Sequence, residues 1–483
     1  MHRSTRSLVT AGLGALLLLG GGVAAQADLT PIEELGEALF LDAGLSANRT
    51  QACVTCHDPS VGYTGPDSWV NLGGAVIEGA LEGRFGNRKP PSAAYAGESP
   101  VLYYDEVEGA WIGGMFWDGR ATGWTLGDPL AEQAQGPFLN PLEQALPGAR
   151  QVCIRVAQSD YADLFEAVWG PKSLDFVKDV NGTYERIARS IAAYERSAEV
   201  NPFTSKFDLF LDTLRANTVG KRTNVDALTA MGIPMGMGPG GGGMGNAANN
   251  PARWEYYRGF GLTDLELQGL AVFKDPNRAD CARCHTLTPG SAGYPLFTDF
   301  RYHNIGTPRN PENPFYAMPK KWNPDGEDWV DYGLGGFLKA AGFPPEVYEP
   351  ELGKFKTPSV RNSDLRPSTD FVKAYGHNGF FKSLDGMEGI LHFYAWRATM
   401  DNGGMGPGMG GGGMGGGGMG GGGMGGGGMG GGGMDGGMGP NPNLFPPPEV
   451  DQNRADMQPF NFMVDGDRLL AFLKTLSDGY FQR

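Results

Sequence analysis

Hydrophobic positions along this chain follow helical spacing more often than strand spacing. Two short helix-like segments open with a capping signal, Thr30-Pro-Ile-Glu33 and Thr263-Asp-Leu-Glu266. Apolar residues recur at helical spacing from Tyr184 to Ala198, and Asp467 to Leu476 predicts an amphipathic helix near the end of the chain. Few segments alternate apolar and polar residues as strands do. The pattern predicts a mostly α fold with long loops.

The two capped segments continue into similar sequences. One reads Gly36-Glu-Ala-Leu39-Phe40 and the other Gly269-Leu-Ala-Val272-Phe273, and each precedes a Cys-x-x-Cys-His motif. We interpret this faint repeat as one ancestral unit that was duplicated.

The amino terminus has a different pattern. Arg3 and Arg6 precede an apolar run from Leu8 to Val23, and Ala25-Gln26-Ala27 offers a small-x-small cleavage site. This arrangement predicts a secretory signal peptide over residues 1–27. An uncleaved anchor is the alternative, but the run is short for a membrane span and polar sequence follows it. We expect no other membrane segment.

Two glycine-rich stretches cannot form a hydrophobic core. Residues 231–247 are rich in glycine and methionine, and residues 403–440 repeat GGGGM. Dense glycine favours a flexible surface loop, although thioethers could also bind Cu(I) or trap oxidants. We therefore divide the chain into a first domain at 28–225, a linker at 226–255, and a second domain at 256–483 that carries the insertion 403–440. The net charge of −15 disfavours nucleic acid as a partner.

The strongest chemical signal is a motif that occurs twice, as Cys53-Val-Thr-Cys56-His57 and as Cys281-Ala-Arg-Cys284-His285. In such a motif two thiols attach the vinyl groups of a haem and the adjacent imidazole binds the iron. A redox dithiol or half a zinc site would use the cysteines but leaves both histidines unexplained. The sequence thus predicts two covalently bound haem c groups, and with export it predicts a periplasmic location.

Further residues surround these motifs in a fixed order. In the first half they are Leu35 to Phe40, Phe116-Trp-Asp-Gly-Arg-Ala121, Gln133, Gly136-Pro137, Asn140-Pro141 and Glu143. In the second half they are Phe297 to His303, Phe355 to Arg361, His377-Asn-Gly and Leu391-His-Phe-Tyr394. Together these residues resemble the bacterial di-haem cytochrome c peroxidase and MauG family. The resemblance implies two cytochrome c-like haem domains, of which the first is peroxidatic and the second transfers electrons.

The resemblance also assigns the ligands on the far side of each iron. No histidine lies between Asp58 and Val152, so the first haem is expected to keep only His57 and an open face for peroxide. For the second haem Tyr394 is the expected partner of His285. His392 and Met387 are the alternatives, because the segment before Tyr394 is longer than usual.

Three further roles follow from the resemblance. Glu143 is the acid-base candidate for peroxide cleavage, Gln133 is its hydrogen-bonding neighbour, and Trp117 is the relay between the haems. The family also implies calcium between the domains. Here Lys89 follows Arg88 where asparagine is common, so Asn87 or backbone carbonyls would have to compensate and calcium is left open.

The sequence therefore predicts a periplasmic enzyme that reduces hydrogen peroxide with electrons from a small cytochrome c or copper protein. One alternative is a MauG-like enzyme that oxidises aromatic residues of a partner protein. The other is a non-catalytic electron carrier in which both irons are closed by protein ligands.

Overall fold

The computed structural model describes residues 28–217, 224–229, 252–401 and 444–483. The predicted signal peptide at 1–27 and the glycine-rich stretches 231–247 and 403–440 lie outside the described residues. Within the described ranges, no helix combines the length and the apolar character needed to cross a membrane.

Helices make up most of the regular structure in these ranges. They are α1 (Pro31–Leu41), α2 (Ser68–Leu72), α3 (Pro129–Leu139), α4 (Ala149–Ala157), α5 (Ala162–Trp169), α6 (Val180–Arg196), α7 (Lys206–Asn217), α8 (Asn224–Thr229), α9 (Asp264–Lys274), α10 (Gly333–Ala340), α11 (Pro345–Tyr348), α12 (Ile390–Asp401) and α13 (Phe462–Lys474). Two short antiparallel pairs join β1 (Tyr103–Asp105) to β2 (Ala110–Ile112) and β3 (Tyr302–His303) to β4 (Phe355–Lys356). The expected mostly α fold is confirmed.

The two capping signals both start helices. The backbone N–H of Thr263 donates to the carboxylate of Glu266 at 2.7 Å, and the N–H of Glu266 donates back to Thr263 Oγ1 at 3.4 Å. At α1, the N–H of Thr30 donates to Glu33 at 2.7 Å. Both predicted helices are confirmed. The last helix begins earlier than its pattern predicted, because Asn461 caps it by accepting from the N–H of Met463.

Buried apolar side chains form two large clusters. The first joins α1 and α6 through residues such as Leu35, Phe40 and Ile187. The second joins α7, α9 and α13 around a group of phenylalanine rings, namely Phe207, Phe273, Phe297 and Phe472. Helix α7 thus packs in the second cluster, although it lies within the range assigned to the first domain. The domain boundaries at 225 and 256 stay a prediction.

The repeated glycines lie where two helices touch most closely. A Cβ added to Gly36 in α1 would lie 2.0 Å from the carbonyl oxygen of Ser190 in α6. A Cβ added to Gly269 in α9 would lie 1.9 Å from the carbonyl oxygen of Arg468 in α13. Only glycine permits this backbone approach. The faint sequence repeat therefore marks the same helix crossing in both clusters.

Replacing Gly269 with alanine is expected to destabilise the protein by about 1–3 kcal/mol, because the added methyl group forces α9 away from α13. Urea denaturation followed by far-UV circular dichroism would measure the change. Gly148→Ala is the control, since its added Cβ meets nothing within 4 Å. Equal losses in the two variants would contradict the close-crossing explanation.

Candidate haem-binding sites

A cavity opens beside the first Cys-x-x-Cys-His motif. Cys53, Cys56 and His57 line it, and neither thiol is in a disulfide. Gln133 from α3, Glu143 from the following loop and Trp117 line the same cavity. The structure therefore brings together the six residues that the sequence assigned to the first site.

The orientation of His57 suits a metal ligand. Its Nδ1 lies 3.1 Å from the carbonyl oxygen of Tyr63, which places the proton on that nitrogen and makes Nε2 the atom that could bind a metal. Burial lowers the pKa of His57, so the imidazole is neutral, as a metal ligand requires. Among the described residues that line this cavity, His57 is the only histidine.

Glu143 is half-buried in the cavity wall just beyond the end of α3. Its backbone N–H donates to the carbonyl oxygen of Asn140 at 3.0 Å, which holds the loop in a turn. Burial raises the pKa of its carboxyl group, while Arg120 and a hydrogen bond from Asn140 oppose that rise. The group can therefore hold a proton more readily than an exposed glutamate.

A second cavity opens beside the other motif and is lined by Cys281, Cys284 and His285. His285 repeats the arrangement of His57, since its Nδ1 lies 3.1 Å from the carbonyl oxygen of Phe297. Burial lowers the pKa of His285 as well. The two motifs thus present the same set of donors: two free thiols and one oriented, neutral imidazole.

The three candidates for the ligand on the far side of the second iron do not all line the second cavity. Tyr394 in α12 lines the cavity together with His285. His392 is two positions earlier on the helix and therefore on another face. Its ring stacks on Phe462 with centroids 4.5 Å apart, its Nδ1 contacts the carbonyl oxygen of Met387 at 2.8 Å, and it does not line the cavity. The side chain of Met387 is exposed. The geometry favours Tyr394 over both alternatives.

Trp117 connects the two sites. Among the described residues it is the one that lines both cavities, and it is 8% exposed. Its indole N–H donates to the carbonyl oxygen of Lys89 at 2.9 Å, which fixes the ring in place.

One grouping of donors resembles a metal site. Single ligand atoms of Cys284, Asp299 and His303 lie within 4.8 Å of one another. His303 Nε2 lies 2.9 Å from Asp299 Oδ2, so these two already form a close pair. Because Cys284 belongs to the second Cys-x-x-Cys-His motif and His303 lines the second cavity, we interpret the group as part of the second site and not as a separate metal site.

Comparison with known proteins agrees with this geometry. A family model described as di-haem cytochrome c peroxidase matches residues 31–215. The methylamine utilization protein MauG of Paracoccus denitrificans is 29% identical over 479 residues, which cover 97% of this chain and 94% of that protein. The chain is therefore similar to di-haem cytochrome c peroxidases and MauG proteins.

Two further proteins are similar over different lengths. The cytochrome c551 peroxidase of Nitrosomonas europaea is 29% identical over 220 residues, or 43% of this chain and 54% of that protein. The crystal structure of the diheme peroxidase BthA from Burkholderia thailandensis is similar in fold, with a TM-score of 0.59 and 23% identity. The match covers 95% of this chain and 89% of that structure.

These similarities indicate an enzyme of the di-haem peroxidase type and imply two c-type haems. The two cavities fit such groups. Each contains a cysteine pair for thioether bonds and the imidazole of its motif, oriented through Nδ1, which is the donor set that covalent haem attachment requires.

Sequence analysis missed one acidic residue in the first cavity. Glu195 on α6 is 5% exposed, and its Oε2 has no hydrogen-bond partner among the described residues. Burial raises its pKa to about 8, so the carboxyl is neutral at pH 7. The signal was available, because Glu195 follows Ile187 and Ile191 at helical spacing on a buried face. An acid on an apolar face indicates an unusual environment.

Proposed function

We propose that this chain is a di-haem peroxidase that reduces hydrogen peroxide at the site of His57, using electrons that arrive through the site of His285. The observation that carries the proposal is the composition of the first cavity. It holds His57 as its only histidine among the described residues, and Glu143 and Gln133 lie in the same wall.

When bound, a haem supplies an iron that can take up peroxide at an open position and exchange electrons. The surrounding residues then handle the protons. Cleavage of the O–O bond requires a proton to reach the leaving oxygen, and Glu143 can carry it because burial favours its protonated form. Gln133 can orient peroxide through its amide, which both donates and accepts hydrogen bonds.

Electrons must then reach the first site from outside. We propose that Trp117 carries them, since it lines both cavities and is held by its hydrogen bond to the Lys89 carbonyl. The reductant would be a small cytochrome c or copper protein that delivers electrons to the second site. In this proposal His285 and Tyr394 are the ligands of the iron at the second site.

A second candidate function differs in the source of the electrons. The extended similarity to a methylamine utilization protein MauG and the position of Tyr394 favour a MauG-like enzyme. Such an enzyme would take its electrons from aromatic side chains of a partner protein. Turnover of peroxide with a reduced small cytochrome or copper protein supports the first function. Peroxide-dependent modification of a partner without that donor supports the second.

The cellular setting and the division into domains are also proposals. Members of this family are typically periplasmic. The signal-like sequence at 1–27 supports export to that compartment. The two buried clusters, each beside one haem cavity, support two cytochrome c-like domains.

The fully oxidised protein is expected to react with peroxide without prior reduction, because His57 is the only histidine among the described residues that line the first cavity. Stopped-flow absorbance at the haem Soret band would measure this reaction. An electron paramagnetic resonance spectrum should show one high-spin and one low-spin ferric haem, which also separates this proposal from a closed electron carrier. A protein that ignores peroxide until it is half reduced would contradict the proposal. In that case Met115, whose thioether also lines the first cavity, would be the candidate for a second iron ligand.

A further inference from the structure

The region between the two cavities contains a buried lysine where the family resemblance implies a calcium ligand. Lys89 is 7% exposed, and its Nζ donates to Thr64 Oγ1 at 2.9 Å and to the carbonyl oxygen of Pro90 at 3.0 Å. Its backbone N–H donates to the carbonyl oxygen of His377 at 2.9 Å, across to the segment beside the second cavity. A hydroxyl and a carbonyl are oxygen donors of the kind that calcium prefers, yet here they hold an ammonium group.

Other oxygen atoms in this region also accept hydrogen bonds from side chains of the protein. The carbonyl of Asn87, the expected compensating residue, accepts from Asn313 Nδ2 at 2.9 Å. Lys373 donates through Nζ to the carbonyl oxygens of Val61, Asn362 and Leu365 at 2.7, 2.6 and 3.0 Å. A second buried ammonium thus lies in a carbonyl cage that joins segments far apart in the sequence.

Two buried carboxylates in this region are paired with an arginine. Arg88 donates to Asp331 through Nε and Nη2, both at 2.7 Å, and its Nη1 lies 2.6 Å from Asp118. All three side chains are largely buried. Calcium requires six to eight oxygen ligands and gains most from carboxylates. A divalent ion here would have to displace hydrogen-bonded donors from these oxygens, so the residues present do not fit it.

We propose that the side-chain ammonium of Lys89 takes the position of the calcium ion between the two haem sites, and that this enzyme therefore requires no calcium. The ammonium is covalently tethered, so the positive charge beside the first cavity does not depend on the calcium concentration. Burial lowers the pKa of Lys89 to about 8, which leaves the group charged at pH 7. The inference concerns the cation only and does not depend on which substrate the enzyme oxidises.

The first test uses the haem-loaded wild-type protein at pH 7. After passage through a chelator and re-equilibration with calcium, elemental analysis should find no retained calcium. The thermal midpoint and both haem spectra should be the same in chelator and in calcium. Retention of one calcium per chain, or a midpoint that falls in chelator, would overturn the proposal.

The second test replaces Lys89 with asparagine, a residue that can bind calcium. Lys89→Asn, purified in calcium, should melt about 5 °C lower than wild type in chelator and recover in calcium. Lys274→Asn is the matched control, because Lys274 is also buried and donates to a carbonyl, that of Leu228, within the second cluster. Calcium should not restore the control. A Lys89→Asn protein that is unaffected in chelator, or that calcium does not restore, would show that Lys89 does not hold the cation position.

Discussion

Replacing Glu143 with glutamine is expected to slow the reaction of the oxidised protein with peroxide by about 100-fold, the scale of acid-base assistance. Glutamine keeps the size and shape of the side chain and can still form hydrogen bonds, but it cannot pass a proton to the leaving oxygen. The loss corresponds to about 2.7 kcal/mol of transition-state stabilisation. Single-turnover stopped-flow measurements at saturating and limiting peroxide would separate slower cleavage from weaker binding.

Two controls make this experiment specific. Glu82→Gln removes an exposed acid that lines neither cavity, and it should leave the rate unchanged. Glu195→Gln removes the other carboxyl in the first cavity. If Glu195→Gln slows the reaction and Glu143→Gln does not, the proton carrier is Glu195 and the assignment of Glu143 is wrong. The resting spectrum of every variant should keep one high-spin and one low-spin haem, because none of these residues is proposed to bind iron.

The sequence was most informative where chemistry requires a fixed local pattern. Haem attachment needs two thiols and an imidazole within five residues, so His57 and His285 could be identified from the motif alone. Gln133 and Glu143 required the order of several motifs, because Gln133 lies in α3 and Glu143 in the loop after it, both far along the chain from His57. The capped helices α1 and α9 were also predictable, since caps are local signals.

Contacts between distant segments could not be predicted in this way. Lys89 looked like a lost calcium ligand, and only the folded chain shows its ammonium held by Thr64 and Pro90. The packing of α7 in the second cluster was missed for the same reason, because its partners α9 and α13 are far along the chain. Helical spacing predicts that a face is buried but does not identify the surface that covers it.

Arg361 is the clearest example of such a distant contact. Its guanidinium donates to both carboxylate oxygens of Asp208 in α7, at 3.0 and 2.7 Å, and to the carbonyl oxygen of Pro295 at 2.7 Å. Neither side chain of the ion pair is exposed at all. The guanidinium also lies 4.8 Å from the ring centres of both Tyr95 and Phe203, which pack with the first cluster. The pair therefore connects the two clusters.

Arg361→Met is accordingly expected to destabilise the protein by about 3–5 kcal/mol, because it leaves the carboxylate of Asp208 buried without a counterion. After the change Asp208 would keep only the N–H and hydroxyl of Ser205, at 3.0 and 2.6 Å. Urea denaturation monitored by tryptophan fluorescence and by haem absorbance would measure the loss. The two probes should shift together if the pair supports both clusters.

The chain offers a control ion pair with the same two-point geometry and much greater exposure. Arg258 makes the same two-point contact with Asp264, at 2.8 and 2.7 Å, but both side chains are about half exposed. Arg258→Met should therefore cost about 1 kcal/mol or less, since water screens and replaces an exposed pair. Adding Asp208→Leu to Arg361→Met should recover part of the loss, because it removes the unpaired charge. If Arg361→Met costs no more than Arg258→Met, the guanidinium is not what holds the two clusters together, and the aromatic contacts around Tyr95 must do so instead.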